Sequence, residues 1–321
     1  YVTGLDTLDG EQELQVHKLL HRAQDGSCLA ELTGFNIAQL RLSYRELELL
    51  AAQKGGYAVG AFNVENMEMA QAVIAAAEEL QAPVMIQTTP STVRYGSLAL
   101  YRANVAALAK AAKVPVAMHL DHGNSFELAA QALREGYTSI MIDGSHEIFE
   151  ENIALTQKVV AMCKPNQIPV EAELGKVGGK EDDLNGGAGG YTDPSEAKEF
   201  VKRTQVSSLA VAIGTAHGVY VGVPKLDVER LKEIRKVVEI PLVLHGASGL
   251  TDESVRECIA EGICKVNFAT ELRIAYSDGI KQVLSEKPDV FDPKVYSKAG
   301  REKVKELVKN RMQVCGCQGR A

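Results

Sequence analysis

Short apolar runs alternate with amphipathic stretches along most of the chain. Most of these runs are almost continuously apolar, which is typical of parallel strands that are covered on both faces. Between them apolar residues recur with a helical period, and Asn66 predicts the start of a helix over 67–80. Asp193-Pro194 and Thr251 predict the starts of two further helices. The predicted strands are 57–64, 83–88, 115–121, 139–143, 169–174, 208–214, 241–246 and 265–270.

Eight strand–helix units in succession predict a closed (β/α)8 barrel, the TIM barrel of the α/β class. An open, doubly wound sheet is the alternative. No G-x-G-x-x-G sequence follows the first predicted strand, which disfavours that alternative. Residues 1–40 precede the repeat and are interpreted as an N-terminal extension of unknown role, and residues 41–321 as the barrel domain.

Composition narrows the classes of partner. The 321 residues carry a net charge of −7 without any block of lysine and arginine, so we expect neither nucleic acid nor an anionic membrane as a partner. No apolar segment is long enough to cross a bilayer, and the first residues are too polar for a secretory signal. Six cysteines are scattered through the chain, which favours reduced thiols and a cytoplasmic protein over a disulfide framework.

Ionisable residues gather where the predicted strands end, and barrel enzymes carry their chemistry at the carboxyl ends of the strands. Asp121 and His122 end the third strand, His217 follows the sixth, and His245 ends the seventh. Three neutral imidazoles with an open fourth position suit a catalytic zinc ion. Separate, hydrogen-bonded core histidines are the alternative, because the three residues do not form a short ligand motif.

Three glycine-containing segments adjoin the same strand ends. The turns 214–218 and 245–249, together with 267–270, offer backbone N–H groups that suit a phosphate, although glycine also serves tight turns alone. The long glycine-rich segment 178–190 carries acidic residues and is interpreted as a loop. It is either a lid over an active site or a flexible connector.

Six motifs, in order, resemble the class II (zinc-dependent) ketose-bisphosphate aldolases. The resemblance runs from about residue 42 to the C-terminus and is closest to the tagatose-1,6-bisphosphate aldolases. It implies a (β/α)8 barrel that reversibly cleaves tagatose 1,6-bisphosphate to dihydroxyacetone phosphate and glyceraldehyde 3-phosphate through a zinc-polarised enediolate. The motifs are HLDHG, MIDGSH, VEAELGKVGGKEDD, LAVAIGTAHGVY, PLVLHGASG and KVNFATEL.

The resemblance implies a metal centre built from the histidines named above. Zinc would be held by His122, His217 and His245. Asp143 and Glu173 match acidic residues that can hold a second or displaced zinc. A monovalent cation, Na⁺ or K⁺, is also used near the phosphate by members of this family.

The resemblance also implies the catalytic and substrate-binding residues. Asp121 would protonate the aldehyde oxygen in the condensation direction, and Glu181 would take the proton from dihydroxyacetone phosphate. Lys265 on the eighth strand is not expected to form a Schiff base, because the metal set makes one unnecessary. The residues implied for the phosphate and dihydroxyacetone end of the substrate are Gly218, Gly246, Ala247, Ser248, Asn267, Phe268, Ala269 and Thr270.

One position bears on the sugar. Fructose-bisphosphate aldolases tend to carry Asp or Asn two residues after the asparagine of strand eight, where this chain has Ala269, as tagatose-bisphosphate aldolases do. Tagatose 1,6-bisphosphate is therefore the predicted substrate, with fructose 1,6-bisphosphate as the alternative. A non-catalytic barrel subunit of an aldolase complex and a zinc-dependent hydrolase are rivals of other classes. The family suggests a homo-oligomer, dimer or tetramer, and a companion subunit for tagatose-type enzymes.

Overall fold

The computed structural model describes residues 45–181, 184–185, 190–220, 222 and 224–321. The predicted extension 1–40 lies outside the described residues. In the described part, eight parallel strands form a closed barrel in the order β1-β11-β10-β8-β5-β4-β3-β2. The barrel strands are β1 (Val59–Asn63), β2 (Val84–Thr88), β3 (Val116–Gly123), β4 (Ser139–Ile142), β5 (Val170–Leu174), β8 (Ser208–Val211), β10 (Leu242–Leu244) and β11 (Ile263–Phe268).

Pairing between β1 and β11 closes the barrel, with Val59 opposite Lys265 and Phe62 opposite Phe268. This confirms the predicted (β/α)8 fold, and the alternative of an open sheet is wrong. The described helices are α1 (Arg45–Gly55), α2 (Met67–Leu80), α3 (Pro90–Gly96), α4 (Leu98–Ala111), α5 (Phe126–Arg134), α6 (Phe149–Cys163), α7 (Pro194–Thr204), α8 (Val228–Val237), α9 (Asp252–Ala260), α10 (Thr270–Glu286) and α11 (Pro293–Cys315).

The capping residues read from the sequence begin the helices as predicted. Asn66 accepts a hydrogen bond from the Met69 backbone N–H at 2.9 Å, which satisfies a free donor of the first turn of α2. Asp193 accepts from two backbone N–H groups at the start of α7. Thr251 accepts from Ser254 at the start of α9. Each cap fixes where a helix starts after a strand-end loop, and so fixes the length of the loop that reaches the barrel mouth.

The glycine-rich segment differs from the prediction, because part of it is strand. Its first residues form β6 (Gly178–Glu181), which pairs antiparallel with β7 (Leu184–Asn185) and parallel with β9 (Ala216–His217). Gly179 has φ +88°, and a Cβ there would overlap the His217 carbonyl oxygen. Glycine alone allows this close approach of two backbones. The segment therefore packs beside one of the predicted zinc ligands.

The five cysteines within the described ranges are buried and free: Cys163, Cys258, Cys264, Cys315 and Cys317. Cys28 lies outside those ranges. None of the helices in the described ranges combines the length and the apolar character needed to span a membrane.

Candidate active site

The three histidines expected to bind zinc lie together at the mouth of the barrel. His122 belongs to β3, His217 to β9, and His245 follows β10 directly. Their ring centroids are 5.1 Å apart for His122 and His217, 4.5 Å for His122 and His245, and 6.1 Å for His217 and His245. One ring nitrogen from each lies within 4.8 Å of the other two. The barrel therefore brings together three histidines that lie far apart in the sequence.

A bulge at the end of β3 explains how two consecutive residues both reach this site. Successive side chains of a regular strand point to opposite faces. The β3–β4 register shifts between Leu120 and Gly123, and His122 adopts φ +48°, in the left-handed region. This conformation is uncommon for a non-glycine residue and carries a strain of about 1 kcal/mol or more. The bulge lets the side chains of Asp121 and His122 approach each other, with Asp121 Oδ1 4.0 Å from His122 Nε2.

Hydrogen bonds assign the tautomers of two histidines. His122 Nδ1 lies 2.7 Å from Asp143 Oδ2, and His245 Nε2 lies 3.0 Å from Glu171 Oε1. Carboxylates accept, so these two nitrogens carry the protons. The opposite ring nitrogens, His122 Nε2 and His245 Nδ1, are 2.7 Å apart. In the neutral rings these two nitrogens are the ones that can bind a metal.

The protonation states of the side chains in this cluster suit metal binding. Burial and the neighbouring His122 lower the pKa of both His217 and His245, so both imidazoles are neutral at pH 7, the form that binds a metal. Burial acts to raise the pKa of Asp143, but the hydrogen bond and charge of His122 outweigh it, and the pKa falls below its usual range. Asp143 is therefore an ionised partner that fixes the His122 ring.

Glu173 is the second acidic residue at the cluster. Its Oε2 is buried and, within the described part of the chain, accepts no hydrogen bond. The same oxygen lies 3.6 Å from His245 Nδ1 and 4.0 Å from His122 Nδ1. His122, Asp143 and Glu173 offer a second set of donor atoms within 4.8 Å of one another. A buried carboxylate oxygen without a partner suits a cation.

Replacing Glu173 should make the metal-free protein more stable at high pH. Burial and the charge of Asp143 raise the pKa of Glu173 from 4.5 to about 8. Between these values the folded chain keeps a proton that the unfolded chain has lost, so stability falls as the pH rises through this window. In EDTA at pH 9, the free energy of unfolding of Glu173→Gln should exceed that of the wild type by about 2–5 kcal/mol. At pH 5 this difference should vanish.

Urea midpoints at the two pH values measure this difference. A matched Glu257→Gln variant, at an exposed position, should leave both midpoints unchanged. Equal wild-type and Glu173→Gln midpoints at pH 9 would mean that Glu173 ionises normally in the folded chain.

Three side-chain amides surround Asp121, the predicted proton carrier. Asn63 Nδ2 donates to Asp121 Oδ2 at 2.8 Å, and Asn267 Nδ2 donates to Oδ1 at 3.0 Å. Gln87 Nε2 donates to Asn63 Oδ1 at 2.7 Å and reaches Asp121 Oδ2 at 3.3 Å. Asp121 Oδ1 is 4.0 Å from His122 Nε2. The carboxylate is thus fixed beside the histidine cluster with both oxygens acting as acceptors.

Asn63 and Gln87 were not among the residues predicted for the site. The sequence does indicate that they belong to the site, because each is a polar residue inside an otherwise apolar run at the end of a predicted strand. A strand end in a barrel is the place where such a residue points into the site.

A buried ion pair lies beneath the histidines. Lys265 Nζ is 3.0 Å from both oxygens of Glu171, and both side chains are fully buried. Lys265 Nζ also lies 3.4 Å from His119 Nε2, and His119 Nδ1 contacts Ser139 Oγ at 2.9 Å. Lys265 is fully buried and ion-paired with Glu171. Its positive charge balances the carboxylate that orients His245.

An open cleft lies beside Asp121 and His217. Of the predicted substrate-binding set, six residues line it: Gly218, Gly246, Ser248, Asn267, Ala269 and Thr270. The side chains of Ala247 and Phe268 pack in the core instead, so any contact of theirs with a substrate would come from the backbone. Asn63, Thr89 and Arg273 also line the cleft, and none of these three was predicted.

Hydrogen bonds join the loops around this cleft. Tyr220 Oη donates to the Gly246 carbonyl at 2.6 Å and accepts from the Ala216 N–H at 2.8 Å. Ser248 Oγ accepts from the Ala269 N–H at 3.1 Å. The loops that follow β8, β10 and β11 are therefore held as one wall of the cleft.

Glu181, the predicted base, ends β6 and pairs with Leu184. Its side chain lies outside the described part of the structure. The backbone of β6 is hydrogen-bonded along β9, the strand that carries His217. The segment that bears Glu181 is thus attached to the wall of the histidine cluster.

Comparison with known proteins agrees with this geometry. A model of the family "Fructose-bisphosphate aldolase class-II" matches residues 44–320. The YdjI aldolase from Escherichia coli K12 is 38% identical, with 87% of this chain and 99% of that chain covered at a TM-score of 0.78. A protein from Coccidioides immitis assigned as a fructose-1,6-biphosphate aldolase is 34% identical, covering 85% and 96%, also at 0.78.

A more distant structure, the fructose-bisphosphate aldolase from Campylobacter jejuni, is 24% identical over 85% of this chain and 94% of that chain, with a TM-score of 0.73, and supports the fold. The family match covers nearly the whole barrel and includes every strand end described above. This chain belongs to the class II fructose-bisphosphate aldolase family.

Proposed function

We propose that this chain catalyses reversible aldol cleavage of tagatose 1,6-bisphosphate, with zinc held by His122, His217 and His245. The products would be dihydroxyacetone phosphate and glyceraldehyde 3-phosphate. The observation that carries the proposal is the meeting of three imidazoles with Asp121 beside one cleft. The close approach of His122 Nε2 and His245 Nδ1 supports a cation in this place, as does the buried oxygen of Glu173 that accepts no hydrogen bond within the described residues. The chemistry that zinc supplies in such a site is Lewis acidity toward substrate oxygens that gain negative charge.

Asp121 is proposed to move the proton of the breaking bond. Cleavage requires the C4 hydroxyl of the sugar to lose a proton, and a fixed carboxylate at the cleft can accept it. The amides of Asn63 and Asn267 occupy one lone pair on each oxygen of Asp121 and so hold its orientation. In the condensation direction the same carboxyl group would return the proton to the aldehyde oxygen.

Two anion sites are needed for a bisphosphate. Backbone N–H groups around Gly218, Gly246 and Ser248 support the phosphate at the dihydroxyacetone end, because these residues line the cleft and two of them lack side chains. Arg273 lines the same cleft and is an arginine suited to the second phosphate.

The choice of sugar rests on Ala269, which places a methyl group in the wall of the cleft where fructose-type members tend to carry Asp or Asn. The two sugars differ only in configuration at C4, so one polar group can change the preference. Fructose 1,6-bisphosphate is the second candidate, and the assignment of the similar Coccidioides immitis protein favours it. A non-catalytic subunit is disfavoured, because Asp121 and the three histidines are all present.

Cleavage of both sugars by zinc-loaded protein tests the proposal. The expected result is a higher kcat/KM for tagatose 1,6-bisphosphate, and loss of nearly all activity in EDTA with recovery on adding zinc. A clear preference for fructose 1,6-bisphosphate would overturn the choice of sugar. Absence of cleavage of either sugar in the presence of zinc would favour the non-catalytic alternative.

Glu181→Ala should slow exchange of tritium at C3 of dihydroxyacetone phosphate by about 10²-fold or more, because the proposed base is lost. Zinc content should stay at the wild-type level, since the three imidazoles are untouched. Exchange at the wild-type rate would assign the proton transfer to another group.

A further inference from the structure

At the edge of the cleft Arg273 forms an ion pair with Glu65, a residue to which the proposed function gives no role. Glu65, which follows β1, accepts from Arg273 Nε at 2.7 Å with its Oε1, and the same oxygen lies 2.6 Å from Arg273 Nη2. Its other oxygen, Oε2, accepts from Thr92 Oγ1 at 2.8 Å. The Glu65 carbonyl accepts from Tyr101 Oη at 2.8 Å. Glu65 is therefore held by α3 and α4, and in turn holds one edge of the guanidinium.

The other edge of Arg273 is available. Within the described residues Arg273 Nη1 makes no hydrogen bond, while the residue lines the cleft. A guanidinium whose Nε and Nη2 are engaged by one carboxylate can offer Nη1 and the remaining Nη2 N–H to a phosphate. The side chain is 42% exposed, so without Glu65 it would sample many rotamers.

We propose that Glu65, supported by Thr92, is a positioning residue that holds Arg273 toward the phosphate of the aldehyde half of the substrate. The pair thereby sets the preference for phosphorylated over unphosphorylated aldehydes. This inference rests on the aldolase function proposed above. The specificity would then depend on an interaction across the place where β1 and β11 close the barrel, since Glu65 follows β1 and Arg273 lies in α10, the helix after β11.

Stability alone does not account for the pair. Exposed ion pairs stabilise a fold weakly, and Glu65 is itself 29% exposed. Variants at either position should therefore fold, and their kinetics can be interpreted. The geometry also separates charge from orientation: in Glu65→Gln the amide oxygen can still accept from Arg273 while the amide N–H donates to Thr92.

The test measures condensation of dihydroxyacetone phosphate with glyceraldehyde 3-phosphate and with unphosphorylated D-glyceraldehyde. The quantity compared is the ratio of the two kcat/KM values. Glu65→Ala should lower this ratio by about 10-fold, and Arg273→Met by about 10- to 100-fold, the range expected for loss of a charged hydrogen bond. Glu65→Gln should stay within about threefold of the wild type, because its hydrogen bonds are kept.

A double-mutant cycle completes the experiment. Glu65→Ala combined with Arg273→Met should have the same ratio as Arg273→Met alone, since Glu65 acts only through Arg273. Arg203→Met is the matched control, because Arg203 forms a similar exposed pair with Glu150 and does not line the cleft. Its ratio should equal that of the wild type.

Tritium exchange at C3 of dihydroxyacetone phosphate needs no aldehyde. It therefore distinguishes a failure of the proposed aldolase function from a failure of the role proposed for Glu65. Absence of both exchange and condensation in the wild type would overturn the proposed function and this inference with it. Normal wild-type exchange with an unchanged ratio in Glu65→Ala would overturn this inference alone. The same conclusion would follow if the kcat/KM ratio fell as far in Glu65→Gln as in Glu65→Ala. It would also follow if the effects of Glu65→Ala and Arg273→Met on this ratio were additive.

Discussion

His122→Ala is expected to lose bound zinc and to lower kcat by about 10³-fold or more. His122 provides one of three ring nitrogens that lie within 4.8 Å of one another, and its ring contacts both other histidines. With two imidazoles left, the site would lack the three protein ligands of a catalytic zinc. Zinc per chain after dialysis and steady-state cleavage of tagatose 1,6-bisphosphate measure the two effects.

Backbone strain provides a second variant at this position. Alanine keeps the cost of φ +48°, whereas glycine adopts this conformation freely, so His122→Gly should be about 1 kcal/mol more stable than His122→Ala without zinc. Both should be equally inactive. His146→Ala, at an exposed histidine, is the control and should keep zinc and activity. Retention of zinc and activity by His122→Ala would sink the assignment of this ligand.

Asp121→Asn is expected to lower kcat for cleavage by about 10²- to 10⁴-fold while zinc stays bound. The asparagine cannot take the C4 hydroxyl proton. It also turns an amide N–H₂ group toward Asn63 or Asn267, both of which donate to Asp121 in the wild type. Exchange of tritium at C3 of dihydroxyacetone phosphate should persist, because that proton transfer is assigned to Glu181.

Three measurements on one preparation examine this prediction: cleavage rate, zinc per chain and exchange rate. Asp278→Asn, on an exposed face of α10, should match the wild type in all of them. A variant at position 121 that lost exchange together with cleavage would indicate a general collapse of the site. A variant that cleaved normally would remove Asp121 from the mechanism.

The barrel and its strand ends could be predicted from the sequence, because strands that are buried on both faces appear as nearly continuous apolar runs. All eight predicted strands are present, although the sixth ends at Val211, earlier than expected. The residues after it turn through Gly214 and form β9 beside Gly178 and Gly179. The hydrophobic pattern does not predict this pairing, since glycine has no side chain to contribute to a periodicity of apolar and polar residues.

Interactions between distant residues escaped sequence reasoning. The contact between His122 and His245 joins positions 123 residues apart, and the pair of Glu65 with Arg273 joins positions 208 apart. A residue such as Gln87 gives no local sign of its partner, because its role comes from neighbouring strands. Residue type predicted which side chains lie together at the strand ends, and topology was needed to find the residues that orient them.

The seam between β1 and β11 has a consequence for how the protein folds. Val59 pairs with Lys265 across about two hundred residues, so closing this pair carries a large loss of chain entropy. The seam is further covered by the end of α11, where the Cys315 carbonyl accepts from the Ala58 N–H. On the ribosome, β1 must wait for nearly the whole chain, with one edge open to non-native pairing. Asn267 and Arg273 arrive with that last strand and the helix after it, so the cleft forms only in the closing step.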